Sequence, residues 1–274
     1  MDRRPIGIFD SGLGGLSILA AVRDLLPWES TVYFGDTARY PYGSKNQDVV
    51  AEYASEIAGH LVTAHDVKLV VVACNTAAAA ALERLSEELP VPVIGVIDAG
   101  VRAASIVSGS SRVGVIGTVG TIGSGAYQRA FLKVDPSVEL NCQACPGFVE
   151  LVETGEADTE SARVLARILL QPLIDAKVDT LLLGCTHYPF LARAIQDVVG
   201  RDVILVSSAE ETAFEVHHML EGGGLSGRDE DLQGDELYIT SGSAEDFATF
   251  ASALLKRPVV NVVHLDFSDL NVQE

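Results

Sequence analysis

Leu181-Leu182-Leu183-Gly184-Cys185-Thr186-His187-Tyr188-Pro189 is the stretch around which the chain is organised. Three leucines in a row read as a strand buried on both faces, the pattern of a parallel sheet. Gly184 turns the chain. A thiol, a hydroxyl and an imidazole follow, and Pro189 suits the first turn of a helix. This places Cys185 at the carboxyl end of a strand, where open α/β sheets bind ligands, and where a helix N-terminus favours negative charge. Val70-Val71-Val72-Ala73-Cys74-Asn75-Thr76 repeats the design upstream: an apolar strand, a cysteine, then polar side chains opening an alanine-rich helix.

Reading outward, strands are expected at Ile6–Phe9, Thr31–Gly35, Val70–Ala73, Val91–Ile97, Arg112–Gly117, Thr180–Leu183, Val203–Val206, Leu237–Thr240 and Val259–Val263. Helices are expected after Gly15, over Gln47–Ala64 and Thr76–Leu89, from about Gly100, beyond Thr121, and over Glu160–Ala176, Pro189–Val199, Glu210–Leu220 and Ala244–Leu255. Gly222 through Asp235 reads as a flexible acidic loop, and the tail is acidic. Strands alternating with helices give an α/β fold with mainly parallel sheets. The pattern restarts near Arg112. Ile6-Gly7-Ile8-Phe9-Asp10-Ser11 pairs loosely with Val113-Gly114-Val115-Ile116-Gly117-Thr118, and the two cysteines keep a similar offset. Two similar lobes facing each other would bring both cysteine turns to one cleft.

The chain has 274 residues, 48% hydrophobic and 21% charged, enough for one or two domains with a substantial core. Its net charge of −19 repels phosphate backbones and argues against nucleic-acid binding, while leaving a small anionic substrate open. The N-terminus runs straight into a strand with no signal-peptide core, and no apolar run is long enough to span a bilayer. The expectation is a cytoplasmic protein, off the membrane, with Cys74, Cys142, Cys145 and Cys185 reduced.

Gly12-Leu13-Gly14-Gly15 invites a phosphate-loop reading, but Ser17 stands where a third glycine would be, and Asp10 would repel a phosphate. A plain strand-to-helix turn is the simpler reading. An acid beside a hydroxyl, Asp10 with Ser11, can also hold an ammonium group or orient a neighbouring acid or base. Cys142-x-x-Cys145 lacks a strand–CxxC–helix setting, because Pro146-Gly147 follows at once, and no second CxxC completes a zinc site. Both read as packing residues. Neither a metal nor an organic cofactor is expected. His60, His65, His217, His218 and His264 read as structural or solvent-facing. Asn75, Thr76 and Thr186 can bind a carboxylate without a permanent charge. His187 can orient or deprotonate Cys185, and Asp10 can do likewise for Cys74. A hydrolytic nucleophile needs one thiol. Two thiols facing one carbon from opposite sides suit removal of a proton on one face and its return on the other.

At these residues the sequence resembles the glutamate racemases, of the cofactor-independent aspartate/glutamate racemase superfamily. The resemblance rests on Phe9-Asp10-Ser11-Gly12-Leu13-Gly14-Gly15, Pro41-Tyr42-Gly43, Ala73-Cys74-Asn75-Thr76-Ala77 and Gly184-Cys185-Thr186-His187-Tyr188-Pro189. Gly117-Thr118-x-x-Thr121 and Cys145-Pro146-x-Phe148-Val149 also match, and it runs from about Ile6 to Val263. Asp98-Ala99-Gly100 departs from a common acid–proline–glycine, and Glu150 from a common proline.

The resemblance implies interconversion of L- and D-glutamate without pyridoxal phosphate or metal, feeding D-glutamate to peptidoglycan. It makes Cys74 and Cys185 the acid/base pair, with Asp10 and His187 assisting. It assigns substrate contacts to Asp10, Ser11, Tyr42, Gly43, Asn75, Thr76, Thr186 and His187. It implies two pseudo-two-fold-related lobes, residues 1–97 with 208–274 and residues 98–207, with the active site in the cleft between them. It leaves open a homodimer and a gyrase-directed role, neither indicated by the sequence. The competing readings are another amino-acid racemase of the superfamily, such as one for aspartate, and a non-catalytic two-lobed binding protein, which would not need two thiols.

Overall fold

A computed structural model describes residues 2–227 and 233–267. Residues 228–232 of the expected acidic loop and 268–274 of the acidic tail lie outside the described residues.

In chain order the first elements are β1 (Ile6–Asp10), α1 (Leu16–Leu25), β2 (Thr31–Gly35), α2 (Gln47–His65), β3 (Leu69–Val72), α3 (Asn75–Glu88) and β4 (Val93–Gly95). Then come α4 (Val96–Val107), β5 (Arg112–Gly117), α5 (Val119–Gly123), α6 (Ala126–Val134), β6 (Glu139–Ala144), α7 (Phe148–Glu153), α8 (Glu160–Asp175) and β7 (Thr180–Gly184). A 3₁₀ turn at Tyr188–Leu191 leads into α9 (Ala192–Val199). The last elements are β8 (Ile204–Val206), α10 (Ala209–Gly222), β9 (Glu236–Thr240), α11 (Ala244–Leu255) and β10 (Val262–His264).

Contacts divide the chain into two compact units, Met1–Val96 with Thr212–Glu274, and Ile97–Glu211. Among the described residues the first holds a sheet of order β10-β9-β2-β1-β3-β4, and the second a sheet of order β6-β5-β7-β8. All pairings are parallel. The order β2-β1-β3-β4 therefore recurs as β6-β5-β7-β8, so the internal repeat is one of topology more than of letters. Parallel neighbours need long crossovers, and the helices supply them.

In the first unit β1, β2 and β3 are buried along their whole length. The apolar face of α2 carries Val50, Ala54, Ile57, Ala58 and Leu61 at helical spacing. Asn46 caps this helix by accepting the Asp48 N–H at 2.8 Å. At the amino ends of the strands, Lys68 is fully buried and pairs with Glu29 at 2.5 Å, while also donating to the Asp2 and Leu225 carbonyls. In the second unit β7 is wholly buried. Leu181 and Leu183 pack with Ile116, Leu170, Tyr188 and Ile195.

Several boundaries depart from expectation. The strand expected over Val91–Ile97 stops at Gly95, and Val96 and Ile97 already belong to α4. Both are buried, and a short apolar run does not by itself separate a strand from a buried helix turn. The helix expected beyond Thr121 is two helices, broken at Gly125 with φ +73°. Strand β6 and helix α7 were not foreseen. The strand is a half-exposed edge, Glu-Leu-Asn-Cys-Gln-Ala, that owes its form to pairing with β5 over weak local propensity. Cys142 accordingly lies on a strand, with Cys145-Pro146-Gly147 joining it to α7. Pro189 enters a 3₁₀ turn before α9 begins.

Candidate active site

In the first unit Asp10 ends β1, and the pairing of Phe9 with Val72 brings it level with Ala73 on the neighbouring strand. Continuing the register sets Ser11 beside Cys74, and the Cys74 Sγ lies 3.6 Å from the Ser11 Oγ. Asp10 is wholly buried, and its Oδ2 accepts the Gly12 N–H at 2.9 Å. Gly15 allows this turn: a Cβ there would lie 2.6 Å from the Asp10 Cβ and 3.0 Å from the Ala73 Cβ. Cys74 is the N-cap residue of α3, and Asn75 and Thr76 open that helix, all three buried. The first turn of a helix offers backbone N–H groups and a positive dipole end to an anion. Asp10, Ser11, Cys74, Asn75 and Thr76 thus form one cluster.

Tyr42 is buried and donates its hydroxyl to Asp36 at the exit of β2. Asp36 also accepts from the Ser241 Oγ at 2.7 Å and the Arg39 Nε at 2.8 Å. Burial, then the Asp36 carboxylate, raises the Tyr42 phenol far above its ordinary value, so it remains a neutral donor. Gly43 follows, half-buried.

In the second unit Gly117 pairs with Gly184, so continuing the register sets Thr118 beside Cys185. Cys185, Thr186 and His187 are all buried. The Cys185 Sγ lies 4.0 Å from the His187 Nδ1, and the Thr186 Oγ1 lies 3.5 Å from the same nitrogen. The His187 Nε2 faces the Glu153 Oε1 at 3.7 Å. Tyr188 braces the turn: its N–H donates to the Cys185 carbonyl and its hydroxyl to the Cys145 carbonyl, each at 3.1 Å. All four cysteines are free thiols. Burial pushes Cys142 up to about 11. Burial, then the charge of Cys185, pushes Cys145 up to about 12. Neither is a thiolate near neutral pH.

Of the residues read from the sequence, Asp10, Ser11, Cys74, Asn75 and Thr76 gather in the first unit and Cys185, Thr186 and His187 in the second, while Tyr42 and Gly43 lie on the loop that leaves β2, with Tyr42 bonded to Asp36. Glu153 and Asp36 were not read as site residues. Asp36 had a signal, since it exits β2 as Asp10 ends β1. Glu153 had none: it sits on a helix that the sequence reading lacked. Among the described residues, no group of three or more His, Cys, Asp or Glu side chains is placed to hold a metal ion. No helix among them is long and apolar enough to cross a membrane.

Comparison with known proteins agrees with this architecture. The family model described as Asp/Glu/Hydantoin racemase matches residues 16–213. A glutamate racemase of Geobacter metallireducens is 53% identical over 241 residues, covering 88% of each chain. The crystal structure of the glutamate racemase isoform RacE1 of Bacillus anthracis superposes with a TM-score of 0.92 at 39% identity, covering 97% of this chain and 98% of that one. The glutamate racemase of Francisella tularensis, solved in complex with D-glutamate, gives 0.90 at 31% identity over the whole of both chains. The chain belongs to the Asp/Glu/Hydantoin racemase family.

Proposed function

We propose that this chain is a glutamate racemase, which interconverts L- and D-glutamate by proton transfer at Cα between two cysteines, without a cofactor, and supplies D-glutamate for peptidoglycan. The observation that carries the mechanism is the recurrence of one cysteine turn at the same place in two copies of one topology. The four free thiols suit a reducing compartment, and we place the protein in the cytoplasm.

In this reading each of the two cysteine turns presents a thiol to the α-carbon of one substrate molecule. A thiolate on one face removes the α-proton and becomes a thiol. The thiol on the other face gives up its proton to the carbanion and becomes a thiolate. Bonds and charge balance, and the enzyme is left with its two protonation states exchanged. Cys185 takes the proton from L-glutamate and Cys74 from D-glutamate. The α-proton is a weak acid, so the carbanion needs support from fixed donors in a site that excludes water. In this reading Asn75, Thr76 and the first turn of α3 hold a carboxylate in the Cys74 cluster, and Thr186 serves in the other. Asp10 and His187 orient and tune the thiols, since each lies in its own thiol's cluster.

The test is direct. Purified protein, dialysed against a chelator with a thiol reductant present, is incubated with L-glutamate while circular dichroism is followed. The signal decays to zero as the racemate forms. A constant signal with both thiols reduced would favour the binding-protein reading.

A further inference from the structure

Tyr33 is a buried hydroxyl that the proposed mechanism does not use. It lies on β2, level with Ile8 of β1, and is fully inaccessible. Its ring packs against Tyr238 and Phe247, with centroids 6.5 and 6.1 Å away. Its hydroxyl points into the Asp10 turn and donates to the Gly12 carbonyl at 3.0 Å. The N–H of the same residue, Gly12, donates to the Asp10 Oδ2 at 2.9 Å. The turn is wedged tightly there. A Cβ on Gly15 would meet the Tyr33 hydroxyl at 3.0 Å, and a Cβ on Gly35 would meet the Gly12 carbonyl oxygen at 2.6 Å. Gly12 is thus held from both sides, by Tyr33 through its C=O and by Asp10 through its N–H.

We propose that Tyr33 is a positioning residue: its hydroxyl holds the Gly12 carbonyl, and so fixes the turn that orients the Asp10 carboxylate toward the Cys74 side of the reaction. The inference rests on the proposed function and adds a residue to it. Burial, then Asp10, then Cys74 hold the Tyr33 phenol well above its ordinary value, so it is a donor at any working pH. Loss of the hydroxyl leaves a buried carbonyl without this donor and lets the turn relax. The proton transfer at Cys74 slows, while that at Cys185 does not.

The experiment is Tyr33→Phe, which keeps the ring among its aromatic neighbours. The readout is the primary deuterium isotope effect on kcat/KM, measured separately with D- and L-glutamate deuterated at Cα. We expect kcat to fall about tenfold. The isotope effect should rise with the enantiomer that Cys74 deprotonates, because that step becomes more rate-limiting. It should fall with the other enantiomer, whose labelled step no longer limits. A merely structural loss of active enzyme lowers kcat and leaves both isotope effects alone. Tyr238→Phe is the control from the same aromatic cluster, since that hydroxyl pairs with Glu236 and Arg257, and it should keep wild-type isotope effects. Replacing Tyr33 by 4-aminophenylalanine restores a donor at the ring's para position and should pull both effects back toward wild type. It also serves if the phenylalanine variant does not fold, in which case a smaller shift of the same sense is expected from the weaker donor. Unmoved isotope effects in an active Tyr33 variant overturn the role of Tyr33 alone. A wild-type chain that racemises nothing overturns the proposed function and this role together.

Discussion

Cys74 and Cys185 are topological equivalents. Cys74 follows β3, which lies beside β1, and Cys185 follows β7, which lies beside β5, in sheets of the same strand order. Continuing the registers sets Cys74 next to Ser11 and Cys185 next to Thr118, so even the neighbouring hydroxyls correspond. Their polar partners differ. Cys74 has Ser11 and the Asp10 turn, while Cys185 has Thr186, His187 and, behind the imidazole, Glu153. Two like thiols in unlike surroundings are what a reaction needs if one must be a base while the other is an acid.

Asp10→Asn and His187→Asn test the assisting roles. Each should lower turnover by about 10²-fold, the lower end for groups in acid–base catalysis. The loss should be unequal in the two directions, with compensating changes in KM because the equilibrium constant cannot move. Steady-state kinetics in both directions checks this. Wild-type turnover in both variants would remove Asp10 and His187 from the mechanism.

Cys142 is expected to be dispensable. It is half-exposed on an edge strand, and burial raises it to about 11, so it is a poor nucleophile at neutral pH. Cys142→Ala should retain activity within about twofold, as surface changes away from a site usually do. Loss of activity on this substitution would revive a redox reading of Cys142-x-x-Cys145.

Asp179 makes stability depend on acid. Burial acts against its charge but is outweighed by hydrogen bonds from Ser110 and Ser108, which hold it down at about 2. The Ser110 and Ser108 hydroxyls each donate at 2.7 Å. A carboxylate lowered in the folded state contributes stability above its unfolded value of about 3.9, and that contribution is lost as pH falls toward the folded value. Asp179→Asn should lower the melting temperature at neutral pH and flatten its decline between about pH 4 and pH 2. Parallel melting curves for the two proteins across that range would contradict this.

At the far end of the first sheet, Glu29→Ala should leave the buried Lys68 ammonium without its partner. Removing one member of a buried pair costs about 3–5 kcal/mol. Urea denaturation measures it, and the folded variant should keep its turnover, since the pair sits at the amino ends of the strands.

What was legible in the sequence was what sequence-local physics dictates. Val70–Val72 and Leu181–Leu183 are apolar runs bounded by turns, and they announce buried parallel strands with polar exits. The boundary at Val96 was not legible, because a buried helix start and a buried strand end use the same side chains. Nor was β6, whose Glu139–Ala144 letters favour no strand until β5 is there to pair with. The site followed the same divide. Asp10, Ser11, Asn75, Thr76, Thr186 and His187 sit next to the thiols in sequence or on a matching turn. Glu153 meets His187, and Tyr33 the Gly12 carbonyl of the Asp10 turn, only through tertiary packing, so spacing along the chain held no trace of them.

The measurement that bears most directly on the proposed two-thiol mechanism is α-proton exchange in heavy water by Cys74→Ala and Cys185→Ala. Under that mechanism each variant lacks the acid/base group on one face, so full racemisation should collapse in both, while weak exchange with retention survives on the other face. Cys74→Ala should exchange the α-proton of L-glutamate faster than that of D-glutamate, and Cys185→Ala should show the reverse preference. Swapped preferences would reverse the face assignment alone, whereas the same preferred enantiomer in both variants would contradict the two-thiol mechanism.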